Sequence, residues 1–127
     1  MKTKFKILIV EDDKILSKYL SASFKEDATF EIITAGDGEQ GEKLAKEVKP
    51  DLILLDIIMP KQNGFEVLRK IKADPKIKKT PVIMLSNLSQ PNDIKKAREL
   101  EAKDFLVKVD FDPEEIIVKV KALLKGK

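Results

Sequence analysis

The sequence predicts an α/β protein with a parallel sheet and helices on both of its faces. Short apolar runs alternate five times with longer segments in which apolar residues recur at helical spacing. A strand that is followed by a helix before the next strand is typical of parallel pairing. Charged or hydroxyl groups end several of the apolar runs, as they do where strand ends of such a sheet form a binding crevice.

The predicted strands are five short runs bounded by turn residues or charges. They are Phe5–Val10, Phe30–Ala35, Asp51–Asp56, Val82–Ser86 and Asp104–Lys108. The third run is almost wholly apolar, which is typical of a strand buried on both faces. The second run contains Glu31 and Thr34 and is therefore unlike a central strand.

The predicted helices follow the strands and have recognisable ends. They are Lys14–Lys25, Glu39–Lys49, Phe65–Ala73, Pro91–Leu100 and Pro113–Leu124. Pro50 stops the second helix, and Asp74-Pro75 stops the third. The last helix begins with Asp112 as its N-cap and Pro113 at its first position.

Composition narrows the functional classes. The 127 residues predict one domain, and the absence of cysteine and histidine excludes thiol nucleophiles, zinc-thiolate sites and histidine-based triads. The net charge of +3 is spread over interspersed lysines and acids, which argues against direct nucleic-acid binding. No signal peptide or membrane-spanning run is recognisable, so we expect a cytoplasmic protein.

Four of the predicted strand ends carry groups that suit phosphate chemistry. Glu11 and Asp12 follow the first strand, Asp56 ends the third, Ser86 ends the fourth and Lys108 ends the fifth. Three neighbouring carboxylates repel one another, and Mg²⁺ would resolve this repulsion because it prefers oxygen ligands. A lysine can pair with phosphate oxygens, and an aspartate can act as a nucleophile.

These residues resemble the receiver domain of bacterial two-component response regulators over nearly the whole chain. The similar segments are Val10–Asp13 and Asp56–Pro60, the latter followed by Gly64. The resemblance implies that Asp56 accepts a phosphoryl group. It also implies that Mg²⁺ is held by Glu11, Asp12, Asp56 and the backbone carbonyl of Ile58.

Three further residues match the switch positions of that family. Ser86 is similar to the switch hydroxyl, Phe105 to the switch aromatic, and Lys108 to the lysine that stabilises the phosphoryl group. The family usually has Lys-Pro after the last strand, whereas this chain has Lys108-Val109, for which we expect a trans bond. Glu101 also departs from the pattern, because glycine is common at its position.

The resemblance implies a flavodoxin-like fold with strand order 2-1-3-4-5. It implies a stand-alone, chemotaxis-regulator-like receiver that spans residues 1–127, has no output domain and is not an enzyme. A histidine kinase or phosphotransfer protein would donate the phosphoryl group. A downstream protein would bind the face formed by the fourth helix, fifth strand and fifth helix, and the chain would be a monomer or a phosphorylation-dependent homodimer without a membrane partner.

Two alternatives remain open at this point. The first is a pseudo-receiver that binds a partner without being phosphorylated. The second is a dinucleotide-binding domain, because Gly36-Asp37-Gly38-Glu39-Gln40-Gly41 is a literal G-x-G-x-x-G between a strand and a helix. Asp37 and Glu39 count against the second alternative, since both would repel a pyrophosphate.

Overall fold

A computed structural model of the chain describes residues 4–59, 62–86 and 91–125, but not the side chains of Val109 and Lys125. Strands and helices alternate along this part of the chain. The strands are β1 Phe5–Val10, β2 Phe30–Ala35, β3 Leu52–Leu55, β4 Val82–Ser86 and β5 Asp104–Val107. The helices are α1 Lys14–Lys25, α2 Gly38–Val48, α3 Gly64–Ala73, α4 Pro91–Glu99 and α5 Pro113–Lys125.

In the described residues the strands form one parallel sheet in the order β2-β1-β3-β4-β5. The predicted fold class and strand order are therefore confirmed. β3 lies between β1 and β4, with Leu55 opposite Val10 on one side and Met84 on the other. This central position explains why all four residues of β3 are apolar and buried.

Alternate strand residues face two separate hydrophobic cores. On one face, Leu8, Ile53 and Leu55 belong to a core completed by residues of α2, α3 and α4. On the other face, Ile7, Leu52 and Leu54 pack with residues of α1 and α5. The strand periodicity of two thus places helices on both faces of the sheet, as predicted.

Eight of the twenty predicted element ends differ from the observed ones, each by one residue. Asp51 lies outside β3, and its carboxylate accepts a hydrogen bond from the Lys6 backbone N–H at 2.8 Å. Lys108 also lies outside its predicted strand, because Lys108–Asp110 forms one turn of 3₁₀-helix. Asp112 caps α5 as predicted, accepting a hydrogen bond from the Glu115 N–H at 2.9 Å.

Glu101 follows α4 with a φ of 69°, in the left-handed region that favours glycine. The N–H groups of Glu101 and Ala102 donate to the carbonyls of Arg98 and Ala97, which is the Schellman arrangement at a helix end. This explains why glycine suits the position. The peptide bonds of the described residues are trans, as we expected for Lys108-Val109. None of the described helices has the length and apolarity needed to cross a membrane.

Candidate functional site

Two carboxylates enter the site from the ends of adjacent strands. Glu11 follows β1 and donates its N–H to the Ala35 carbonyl, while Asp56 follows β3 and donates its N–H to the Val10 carbonyl, both at 3.0 Å. These hydrogen bonds continue the sheet one residue beyond its strands. Both residues are buried, with relative exposures of 3% for Glu11 and 5% for Asp56.

Asp12 joins these two carboxylates from an exposed position. One oxygen from each of Glu11, Asp12 and Asp56 lies within 4.8 Å of the other two. Carboxylate oxygens are the ligands that Mg²⁺ prefers, and Mg²⁺ usually keeps several waters. Two buried carboxylates and one exposed carboxylate fit such an ion, because the exposed side leaves room for its waters.

Lys108 places its ammonium group between the two buried carboxylates. Its Nζ lies 2.8 Å from Glu11 Oε1 and 3.2 Å from Asp56 Oδ2. Burial lowers the pKa of Lys108, but the hydrogen bond to Glu11 and the charge of Asp56 outweigh burial and raise this pKa above its ordinary value. The lysine is therefore a fixed positive charge at neutral pH.

The pKa of the Glu11 carboxyl is raised in the site. Burial raises its pKa to about 7, the charge of Asp56 acts in the same direction, and the hydrogen bond from Lys108 opposes both. Its second oxygen, Oε2, accepts a hydrogen bond from the Asp13 N–H at 3.2 Å. Asp13 also caps α1 through the N–H groups of Ile15 and Leu16, so the start of α1 fixes the orientation of Glu11.

The backbone next to Asp56 lies tightly against the start of α3. Asp56 Oδ1 accepts a hydrogen bond from the Ile57 N–H at 2.8 Å, and the Gly64 N–H donates to the Ile57 carbonyl at 2.7 Å. A Cβ at Gly64 would lie only 2.1 Å from the Asp56 carbonyl oxygen. The sequence pattern indicated Gly64, but it did not predict this close approach to the Asp56 backbone. Pro60, in the same segment, lies outside the described residues.

The remaining predicted site residues lie on neighbouring elements. Ser86 ends β4 beside β3 and is 1% exposed. Phe105 lies on β5 opposite Met84, is partly buried and packs against the core that contains Met84. Ile58, whose carbonyl the resemblance assigns to the metal, is a residue with a relative exposure of 62%. The structure therefore leaves the roles of these three residues as predictions.

Helix capping and close packing within the chain account for the G-x-G-x-x-G segment. The Asp37 side chain caps α2 by accepting from the Gln40 N–H, and the Gln40 side chain accepts from the Gly36 N–H, both at 2.8 Å. A Cβ at Gly38 would lie 2.2 Å from the Gln62 carbonyl oxygen. Side chains of the segment thus occupy N–H groups that a dinucleotide phosphate would need, and close packing accounts for Gly38.

Comparison with known proteins agrees with this geometry. The family model of the response regulator receiver domain matches residues 7–121. The DNA-binding dual master transcriptional regulator RpaA of Synechocystis sp. is 38% identical over 120 residues, which cover 94% of this chain and 49% of that protein. The chain thus spans about half the length of the curated relatives it matches.

Solved structures give the same result. The chemotaxis response regulator CheY4 of Vibrio cholerae has a TM-score of 0.86 and 28% identity, covering 94% of this chain and 98% of that one. The Francisella response regulator 1452 receiver domain has a TM-score of 0.88 and 28% identity, covering 97% and 98%. Sheet order, family match and structural likeness agree, and the chain belongs to the response regulator receiver domain family.

Proposed function

We propose that this chain is a phosphorylation-controlled switch in which Asp56 accepts a phosphoryl group from a phosphohistidine. The donor would be a histidine kinase or a phosphotransfer protein, as in the family that the chain matches. The phosphohistidine would belong to another chain, because this chain has no histidine. The observation that carries the proposal is the Lys108 ammonium, 3.2 Å from Asp56 Oδ2, beside three clustered carboxylates. This arrangement suits a nucleophilic carboxylate with a counter-charge for the incoming phosphoryl oxygens.

In this reaction an Asp56 carboxylate oxygen attacks phosphorus, and the P–N bond to the donor histidine breaks. Lys108 exchanges its contact with the carboxylate for one with a phosphoryl oxygen. Glu11, Asp12, Asp56 and the Ile58 carbonyl would hold Mg²⁺, which when bound neutralises charge that develops on the phosphoryl oxygens. Because the chain would itself accept the phosphoryl group, we infer that it acts as a switch and not as an enzyme on a separate substrate.

The phosphoryl group would then shift the population between two conformations. Ser86 turns towards it, Phe105 rotates inward, and the face formed by α4, β5 and α5 becomes competent to bind a downstream protein or a second copy of this chain. This proposal rests on the places of Ser86 at the end of β4 and Phe105 on the neighbouring strand β5.

Two broader expectations are part of the proposal. The curated relatives are about twice as long as this chain, so a stand-alone receiver without an output domain stays a prediction. Intact mass of the protein isolated from its source cells would test it, since a larger mass would show additional chain. A cytoplasmic location is also a prediction, and fractionation of the same cells would test it.

The first prediction is Mg²⁺-dependent phosphorylation of Asp56. Incubation with acetyl phosphate and Mg²⁺ should add one phosphoryl group, detected by intact mass, and a chelator should abolish the addition. Asp56→Asn should not be modified, because its amide is a poor nucleophile.

Asp93→Asn is the control, since Asp93 lies on α4 outside the carboxylate cluster. This variant should be phosphorylated like the parent chain. Addition to Asp56→Asn at the parent rate would contradict the site assignment. A folded parent chain that acquires no phosphoryl group from any donor would favour the pseudo-receiver alternative.

A further inference from the structure

A groove at the opposite edge of the sheet from Asp56 concentrates positive charge. It lies at the amino ends of β4 and β5 and has a volume of about 620 Å³. Four lysines and one acidic residue line it: Lys72, Lys78, Lys79, Lys103 and Glu101. We call it the lysine groove. The groove has a formal excess of three positive charges, which equals the net charge of +3 of the whole chain. The positive and negative charges of the remaining residues therefore cancel.

One lysine of the groove is held in place by the backbone. The Lys72 Nζ donates to the carbonyls of Lys78 and Thr80, at 3.1 and 2.9 Å. The side chain of Lys72 is half-buried at the end of α3. These hydrogen bonds fix the segment between α3 and β4 that carries Lys78 and Lys79. A ligand that binds there would therefore lose less conformational entropy of the protein than one that must order a mobile segment.

The lysines of the groove also affect one another. Burial lowers the pKa of Lys72, the positive charge of Lys103 lowers it further, and the carboxylate of Glu101 opposes both. Because Glu101 is the single acid among the lining residues, it leaves most of this positive charge uncompensated. A multiply charged anion would relieve the repulsion, and lysine ammonium groups are common partners of phosphate.

The other three lining residues are apolar, and we call them the apolar wall of the groove. Pro81 precedes β4, and Ala122 and Leu123 lie near the end of α5. An inorganic anion would use the lysines alone, whereas an organic phosphate could also cover this wall. A ligand that carries both phosphate groups and an apolar part would contact both kinds of lining residue.

From the charges and the apolar wall together, we propose that the lysine groove binds a small organic polyphosphate of the nucleoside diphosphate class. Phosphate oxygens contact Lys78, Lys79 and Lys103, and the non-phosphate part of the ligand covers the apolar wall. This site is separate from the phosphoacceptor, since it lies at the other ends of β4 and β5. It requires neither Mg²⁺ nor Asp56.

The test is an NMR titration of the ¹⁵N-labelled chain with ADP and, separately, with inorganic pyrophosphate. A chelator is present throughout, which removes metal-dependent phosphate binding near Asp56. ADP should give saturable shifts of the Val82 and Lys103 amides with a dissociation constant below about 1 mM. Pyrophosphate should shift the same amides with weaker affinity, because it leaves the apolar wall uncovered.

The variant that tests the groove is Lys79→Gln/Lys103→Gln, in which both lysines are exposed and the fold should be unaffected. Its affinity for ADP should fall at least about tenfold, as expected for the loss of charge-assisted contacts. The matched control is Lys18→Gln/Lys43→Gln, which removes the same charge from exposed positions on α1 and α2 and should change affinity less than about twofold.

Three results would overturn the proposal. Equal losses in the two double variants would mean that ADP responds only to net charge. Affinity for pyrophosphate equal to that for ADP would exclude an organic ligand. A single-stranded oligonucleotide that binds tighter than ADP, with a steep dependence on salt, would make the groove a nucleic-acid surface instead. The melting temperatures of both variants confirm that each compared chain is folded.

Discussion

The position of the Asp56 carboxylate depends on close packing against a glycine. Gly64 begins α3 so close to Asp56 that a Cβ there would meet the Asp56 carbonyl oxygen at 2.1 Å and Ile57 Cα at 2.7 Å. Both neighbours are backbone atoms, which cannot move without moving the carboxylate. Any side chain at residue 64 must therefore displace Asp56 from Lys108 or push α3 away from the sheet.

We predict that Gly64→Ala lowers the free energy of unfolding by about 1–3 kcal/mol, the usual cost of overpacking. It should also slow phosphorylation of Asp56 by acetyl phosphate, because the carboxylate no longer meets Lys108. Urea unfolding and intact mass measure the two effects. Gly36→Ala is the control, since its Cβ would have its nearest neighbour at 3.8 Å. Equal effects of the two substitutions would contradict the packing argument.

Glu101 offers the opposite case, a residue whose replacement by glycine should stabilise the fold. With a φ of 69°, its Cβ is held in the left-handed region at a cost of about 1–2 kcal/mol. Replacement by glycine removes this cost. Part of the resulting gain in stability is lost, because glycine has a larger conformational entropy in the unfolded chain. We expect Glu101→Gly to raise the free energy of unfolding by about 0.5–1 kcal/mol in urea titrations.

Glu101→Ala separates backbone strain from charge, because it removes the carboxylate but keeps the Cβ. This substitution should not stabilise the fold. The loss of the carboxylate near Lys72 should slightly lower the free energy of unfolding. If alanine stabilised the fold as much as glycine, the effect would come from the charge, and the strain argument would be wrong.

At the level of elements, α4 is the helix with the fewest anchors in the described structure. Ala97 is its single buried residue among those described. Lys96 adds one contact, placing its Nζ 4.6 Å from the centroid of the Phe65 ring at the start of α3. Phe65 follows Gly64 directly, so this cation–π contact joins α4 to the segment that lies against Asp56.

We predict that Lys96→Met loosens α4. The contact is worth about 0.5–1 kcal/mol at an exposed lysine, so amide exchange in α4 should quicken by about two- to fivefold. Hydrogen exchange followed by NMR measures this directly. Lys95→Met removes the same charge from an exposed neighbour with no ring contact described, and it should leave exchange in α4 unchanged. Equal acceleration in both variants would assign the effect to charge alone.

Sequence reasoning predicted the elements well because each had local signals. The apolar runs predicted the observed bounds of β1, β2 and β4, and Asp112 predicted the start of α5. Two of the ends that were missed depend on distant partners. Asp51 leaves β3 because the Lys6 N–H binds its side chain, and Lys108 turns out of β5 towards Glu11. Neither partner can be recognised from the neighbouring sequence.

At the level of the whole molecule, the strand order brings the charged site together. Glu11 and Lys108 are 97 positions apart in the sequence, yet their side chains meet because the ends of parallel strands share one edge of the sheet. The alternation of elements was sufficient to predict that edge. It was not sufficient to predict that Lys108 pairs with both Glu11 and Asp56, or that the pKa of Glu11 rises to about 7, because these depend on burial and on exact distances.

The same sheet gives a path for the proposed switch. Asp56 follows β3, Ser86 ends the neighbouring strand β4, and Phe105 lies on the next strand, opposite Met84. Phe105 is partly buried, so it can change its exposure without unfolding the strand. The weakly anchored α4 follows β4 in the chain and lies on the face proposed to bind a partner.

We therefore predict that beryllofluoride with Mg²⁺, which mimics the phosphoryl group on Asp56, changes amide chemical shifts well beyond the site. The changes should extend from Asp56 through Ser86 to Phe105 and into α4, because a shifted population alters every residue that differs between the two states. Asp56→Asn is the control and should show no such changes under identical conditions. Changes confined to the loops around Asp56 would mean that the α4, β5 and α5 face is not coupled to phosphorylation. A role as an intermediate in a phosphorelay, which needs only the transfer chemistry of Asp56, would then be the better interpretation.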